Sequence, residues 1–155
     1  MDFGGRYLFG SKRAAVWAAL NDTRILKAVI PGCERIEWTA ADALELKVRV
    51  NFGVVHPVLS GDLTLSDVHP AETYVLSGHG HGGLLGLAHA AARIALSDTP
   101  EGGTLLSFTA EGKADGGIMR LGKALIGRSA QKVIDGFFES IGREMGSIVT
   151  PLPPT

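Results

Sequence analysis

Between Gly78 and Ala92 the chain has glycine and alanine at positions where the core face of a β-sheet normally has large apolar side chains. These small residues share one parity, which Ile94 and Leu96 continue as an ordinary apolar strand. They are Gly78, Gly80, Gly86, Ala88, Ala90 and Ala92. Alternate residues of a strand point to the same side of the sheet, so we expect these residues to line one surface. Because protein interiors are close-packed, either a neighbouring element approaches this surface closely or the protein keeps a hollow for a ligand. We favour the hollow.

The composition is that of one soluble domain. The 155 residues are 45% hydrophobic and 20% charged, and the net charge of −1 gives no sign of general nucleic-acid binding. The single cysteine, Cys33, excludes an internal disulfide. No apolar run approaches the ~20 residues that a membrane-spanning helix needs, and the N-terminus lacks a signal-peptide pattern. We expect a cytoplasmic domain over residues 1–150, followed by a short proline-rich tail at 151–155.

The first third of the chain predicts one strand and two helices. Phe3–Phe9 alternates as a short strand, and Ser11 is the expected N-cap of a helix over Lys12–Leu20. A second short helix is predicted over Thr23–Val29. The Ile30-Pro31-Gly32 sequence then forces a turn, because proline fixes φ and glycine permits positive φ.

Six strand candidates follow, separated by short turns rich in glycine, proline and aspartate. They span Cys33–Trp38, Leu44–Phe52, Val58–Ser66, Glu72–His79, Leu84–Ser97 and Thr104–Lys113. Sequential strands with short connections favour an antiparallel meander.

The last third changes to helical periodicity and predicts one long amphipathic helix from Gly117 to about Val149. The complete order is β-α-α-β6-α. It predicts an α+β fold of the helix-grip type (START-like or Bet v 1-like), with a curved antiparallel sheet of about seven strands around the long C-terminal helix. The small face of the sheet would look toward that helix, and a gap between them would form an apolar pocket.

Several motifs resemble the CoxG family of carbon monoxide dehydrogenase accessory proteins over nearly the whole chain. The most specific is Ile-Pro-Gly-Cys at residues 30–33, at its distance from the tryptophan-bearing segment at 16–22. The others are Leu59-x-Gly61-x-Leu63-x-Leu65-x-Asp67, Gly78-x-Gly80, Gly86-x-Ala88, Gly116, Leu121-Gly122 and Phe137-Phe138.

The resemblance implies a non-catalytic accessory protein of an aerobic molybdenum carbon monoxide dehydrogenase or a related hydroxylase. It associates the chain with maturation, membrane attachment or electron delivery, and with an apolar ligand such as an isoprenoid quinone or a lipid. No covalent cofactor is expected. Longer family members carry a membrane-associating segment, and this sequence stops at Thr155, so we expect at most peripheral contact with the inner face of the cell membrane.

The predicted pocket has a small-residue floor, apolar walls and a rim. Besides the small residues named above, the floor contains Gly61. The predicted walls are Leu46, Val48, Val50, Phe52, Leu59, Leu63, Leu106, Phe108, Leu121, Leu125 and Phe137. The rim is Ile30, Pro31 and Gly32. Apolar surface of this kind gains about 25 cal/mol for each Å² of ligand that it buries.

Other candidate chemistry is weaker. His79 and His81 share a strand face and could pair on a metal, but their parity opposite to the floor favours a solvent-facing pair. Cys33 has no assignable base, so a small residue beside the turn is favoured over a nucleophile. A basic set on the last helix serves either a docking surface or a solvated face. It comprises Arg120, Lys123, Arg128 and Lys132.

Two alternatives to a ligand carrier stay open. A cavity enzyme of the cyclase or hydrolase type predicts an acid or histidine inside the pocket with a shifted pKa. An assembly chaperone without a ligand predicts a filled core and a sizeable exposed apolar patch.

Overall fold

The computed structural model describes residues 2–49, 56, 58–81, 87–114 and 130–153. The strands are β1 (Asp2–Phe9), β2 (Cys33–Ala40), β3 (Ala43–Arg49), β4 (Val58–His69), β5 (Thr73–His81), β6 (Leu87–Asp98), β7 (Thr104–Ala114) and β8 (Val149–Leu152). The helices are α1 (Arg13–Leu20), α2 (Thr23–Val29) and α3 (Ala130–Met145). Within these residues the eight strands form one antiparallel sheet in the order β2-β3-β4-β5-β6-β7-β1-β8.

The α+β prediction with a meander of six central strands is confirmed. The described ends of these strands lie within three residues of the predicted ones, because alternation of apolar and polar residues marks each strand clearly. The total of eight strands differs from the predicted seven. The additional strand is β8, which pairs with Arg6–Phe9 at the end of β1.

The C-terminal helix ends earlier than the sequence predicts. Instead of continuing to Val149, α3 ends at Met145, and Gly146 follows with a φ of +73°. Glycine takes this left-handed conformation without steric cost, and the Ser147 N–H closes the turn on the Gly142 carbonyl oxygen at 2.8 Å. The chain then enters β8, so Pro151 and Leu152, predicted in a tail, lie in a strand. The predicted first part of the helix, 117–129, lies outside the described residues.

The predicted N-cap of α1 is wrong. The capping position is Lys12, whose side chain makes no capping hydrogen bond. The carbonyl oxygen of Ser11 instead accepts a hydrogen bond of 2.7 Å from the buried hydroxyl of Thr104, which ties the loop before α1 to β7. In α2, by contrast, Asp22 caps the helix by accepting from the Arg24 N–H at 2.9 Å.

The three described helices pack against the part of the inner face that contains the core, which we call the packed half of the sheet. Its buried side chains come from β1 to β7 and from all three helices. They are Tyr7, Phe9, Val16, Ala19, Leu26, Val29, Ile36, Leu44, Leu65, Tyr74, Ile94, Leu96, Leu106, Phe108, Phe138 and Ile141. Each fully buried large side chain contributes about 1.5–3 kcal/mol to folding.

Aromatic rings join α1 and α3 to the sheet. Tyr7 packs on Phe138 with ring centroids 4.5 Å apart, and Trp17 meets Tyr74 edge-on at 5.0 Å. Burial raises the pKa of the Tyr74 hydroxyl above its ordinary value, since the phenolate would lose its hydration. These ring contacts hold α1 and α3 against the packed half of the sheet, so a binding site is to be sought in the other half.

Candidate functional site

The small residues of the central strands lie together on the inner face of the sheet. Gly78 pairs with Ala90 and with Leu63, and Ala90 pairs in turn with Gly112. Paired residues of antiparallel strands point to the same side, so the patch extends across β4 to β7. We call it the small-residue surface, comprising Gly61, Gly78, Gly80, Ala90, Ala92, Ala110 and Gly112.

This surface is only partly filled by its neighbours. Ala90 is exposed, although Ile94 on the same face of the same strand is buried at 7% exposure. A Cβ built at Gly80 would meet, among the described atoms, only a backbone oxygen at 3.7 Å. At Gly78 the situation differs, because a Cβ there would lie 3.0 Å from the Leu63 side chain. The floor is therefore open around Gly80 and Ala90 and occupied by a leucine at Gly78.

Some of the predicted wall residues lie beside the small-residue surface, and others lie in the packed half of the sheet. Leu46, Val48, Leu59 and Leu63 are half-buried beside the small-residue surface. In the packed half, Leu106 is completely buried and Phe108 is 8% exposed, whereas Phe137 is half-buried on α3. Val50, Phe52, Gly86, Leu121 and Leu125 lie outside the described residues, as does the side chain of Ala88. Ligand contact by any of these residues stays a prediction.

The predicted rim has a closely packed backbone. Gly32 has a φ of +74°, and a Cβ there would lie 2.1 Å from the carbonyl oxygen of Arg49. The Gly32 carbonyl in turn accepts from the Arg49 N–H at 2.8 Å. Arg49 also reaches the Glu34 carboxylate at 3.0 Å and the His56 carbonyl at 3.3 Å. The turn is thereby fixed to the end of β3.

A cleft that the sequence analysis missed lies between β1, β7, β8 and α3. We call it the β1 cleft; it encloses about 620 Å³, and its lining includes Gly5, Arg6, Tyr7, Phe108, Asp135 and Leu152. The Tyr7 hydroxyl donates to Asp135 Oδ1 at 2.5 Å. The two residues are 128 positions apart. The sequence analysis places Tyr7 in the predicted first strand and Asp135 in the predicted last helix, and it gives neither residue a role in a site.

The histidines lie on the outer face, as predicted. His79 and His81 are exposed, and His79 meets the exposed His89 of the neighbouring strand at a ring-centroid distance of 5.0 Å. Across the described ranges, no three His, Cys, Asp or Glu side chains come together in a way that could hold a metal ion. The histidine pair thus has no third protein ligand among those residues.

Cys33 and the basic residues add no reactive group. Cys33 is half-buried at the start of β2, and burial raises the pKa of its thiol above the usual value. This lowers the thiolate fraction, the form that reacts.

Of the predicted basic set, Lys132 is exposed on α3, while Arg120, Lys123 and Arg128 lie outside the described residues. None of the described helices combines the length and hydropathy of a bilayer span.

A wide antiparallel sheet packed on a C-terminal helix, with two short helices after the first strand, defines the class of helix-grip proteins. The sequence profile of the carbon monoxide dehydrogenase CoxG family matches residues 5–146. The chain belongs to this family, a family of accessory proteins. No curated protein matches the chain significantly by sequence.

Solved structures with the same architecture cover nearly the entire chain. A conserved protein from Geobacillus kaustophilus superposes with a TM-score of 0.81 at 24% identity, over 96% of this chain and 99% of that one. Norcoclaurine synthase from Thalictrum flavum matches with a TM-score of 0.63 at 14% identity, over 94% and 93%. The ZhuI aromatase/cyclase from Streptomyces sp. R1128 matches at 0.62 and 13%, over 93% and 95%. At these identities the matches establish the fold alone.

Proposed function

We propose that the protein is a non-catalytic carrier that holds a quinone- or lipid-like molecule between the sheet and its C-terminal helix. Its partner would be a molybdenum carbon monoxide dehydrogenase or a related hydroxylase, to which it aids electron delivery, membrane association or maturation. The CoxG family supports the accessory role and the partner class. Ligand binding is supported by the solved structures of the same fold, which include an aromatase/cyclase and a norcoclaurine synthase.

The observation that carries the proposal is the exposure of Ala90 on the inner face of the sheet. Ile94 and Leu96 on this face are buried, whereas Ala90, four residues before Ile94 on the same strand, is exposed. Exposed apolar surface inside a fold is costly unless something fills it. An apolar ligand would cover this surface, and it needs few polar partners to do so.

The half-buried leucines and valine beside the surface provide the walls. Leu46, Val48 and Leu59 come from adjacent strands, and Val48 pairs directly with Leu59. A ligand that buries about 200 Å² against such walls gains roughly 5 kcal/mol at about 25 cal/mol per Å². This gain suits a carrier, because it holds the ligand and still permits its release to a partner.

The test is the ligand content of the protein as its own host makes it. The full chain is purified without detergent and extracted with organic solvent, and quinones and lipids in the extract are quantified by mass spectrometry. An unrelated soluble domain purified in parallel corrects for carry-over. We expect one quinone or lipid species near one molecule per chain. Extracts no richer than those of the control protein would contradict the carrier and favour an assembly chaperone.

A further inference from the structure

The outer face of the sheet brings two imidazole rings together directly behind the small-residue surface. His79 of β5 and His89 of β6 are register partners, and paired residues of antiparallel strands project their side chains to the same side. Both residues are exposed, and their ring centroids lie 5.0 Å apart with an interplanar angle of 90°. His79 lies between Gly78 and Gly80, and His89 precedes Ala90, so the pair backs the open part of the inner face.

The distance between the two rings suits a single metal ion bound by both. The Cβ–Cγ bond of histidine points at the ring centre, so rotation about the broad χ2 torsion turns the nitrogens and leaves the centre in place. With metal–imidazole bonds of about 2.0–2.1 Å, each ring centre lies about 3.2 Å from the metal, and the 5.0 Å separation corresponds to an N–metal–N angle of about 100°. This angle lies between the square-planar and the tetrahedral values. The strand register therefore already holds the two imidazoles at chelating distance.

The partner of His79 is the histidine across the strands and not the one next along the chain. His79 and His81 share a strand face, but two residues of a strand rise about 6.6 Å, whereas paired residues of antiparallel strands have Cα atoms about 4.5–5.5 Å apart. The register partner of His81 on β4 is Ser60, and the ring contact of His79 is made by His89. His81 is thus an exposed histidine on the same face that stands outside the pair.

The groups beside the pair decide which metal ions it suits. Asp62 of β4 is the register partner of His79, and Lys113 of β7 is that of His89; both are exposed. A carboxylate on one side and an ammonium on the other balance in charge, so affinity would come from the imidazole nitrogens. Since no third ligand joins them within the described ranges, an ion here would complete its coordination with water. Two nitrogens and two waters form the tetragonal set of Cu²⁺ and Ni²⁺, whereas structural zinc sites have four protein ligands.

We propose that His79 and His89 chelate a divalent transition metal ion with a tetragonal preference, Cu²⁺ above all, on the outer face of the sheet. Cu²⁺ is the most tightly held of the first-row divalent ions at a given nitrogen site. The bound ion links β5 to β6 behind Gly80 and Ala90, where the inner face has least cover. Because the unfolded chain does not hold the two rings together, this ion stabilises the native sheet.

The test is the binding of Cu²⁺ to the full chain and to single-residue variants. The protein is titrated with CuCl₂ in the presence of glycine, which removes weakly bound copper, and binding is followed by calorimetry and by electron paramagnetic resonance. We expect one Cu²⁺ per chain with two nitrogen ligands from the protein, and binding at least about tenfold weaker in both H79A and H89A. H81A is the matched control, since it removes an exposed histidine from the same face of the same strand, and it should bind within about twofold of the wild type.

Thermal unfolding gives a second readout. Cu²⁺ should raise the Tm of the wild type and of H81A, and it should leave the Tm of H79A and H89A unchanged. C33S should bind copper like the wild type, because the thiol takes no part in the site. Undiminished binding by H79A or by H89A, or an equal loss in H81A, would overturn the inference. Loss of binding in C33S would assign the ion to the thiol and overturn it as well.

Discussion

Replacing Gly32 by alanine tests how the predicted rim is built. The new Cβ would lie 2.1 Å from the Arg49 carbonyl oxygen, whereas non-bonded heavy atoms prefer about 3.5 Å, so β2 and β3 would have to separate by about 1.4 Å. This separation breaks the 2.8 Å hydrogen bond from Arg49 to the Gly32 carbonyl, a loss of about 0.5–1.5 kcal/mol. The left-handed φ of +74° costs alanine about 1–2 kcal/mol more. We expect a total loss of about 1.5–3.5 kcal/mol.

Gly102→Ala is the matched control for this substitution. Gly102 has a φ of +86°, but a Cβ there meets no described atom within 4 Å, so only the conformational cost of about 1–2 kcal/mol applies. Both variants are unfolded in urea and followed by circular dichroism. Equal free energies of unfolding for the two variants would refute the steric explanation of the Ile30-Pro31-Gly32 turn.

Two further predictions concern α3 and Cys33. Gly136→Ala should raise the free energy of unfolding by about 0.5–1 kcal/mol, because a Cβ there meets no described atom within 4 Å and alanine favours helix. Gly142→Ala should lower the free energy of unfolding, since its Cβ would lie 2.3 Å from the Val149 side chain. If both substitutions changed the free energy of unfolding in the same direction, the packing described for α3 would be contradicted. The raised pKa of the Cys33 thiol means less thiolate at pH 8 in the native protein. Alkylation at pH 8 should therefore be slower in native than in urea-unfolded protein, and equal rates would contradict the burial of this thiol.

Most of the sheet could be predicted from the sequence, because alternation is a local signal. The strand at Ala43–Arg49 alternates leucine and valine with glutamate and lysine, and its partners follow from short turns. The same parity argument placed Gly78, Gly80 and Ala90 together on the inner face. It also placed His79 on the outer face, where the histidine is exposed.

What the sequence did not reveal depends on contacts between distant segments. Ser11 has the residue type of an N-cap, but its carbonyl is engaged by Thr104 and the helix begins after Lys12. The strand β8 forms because Gly146 turns the chain back onto β1, and helical spacing alone carries no sign of that turn. The Tyr7–Asp135 hydrogen bond joins the two ends of the chain, and no local pattern predicts such a pair.

Ligand binding by Ala90→Phe and by Ala91→Phe tests the carrier most directly. Both residues are exposed on β6, but Ala90 lies on the inner face and Ala91, its neighbour, points to the outer face. If phenylalanine at position 90 displaces about 60 Å² of ligand contact, about 1.5 kcal/mol is lost, and binding of an isoprenoid quinone should weaken by at least about tenfold. Ala91→Phe should bind like the wild type. Undiminished binding by Ala90→Phe, with both variants folded, would mean that the small residues do not border the ligand.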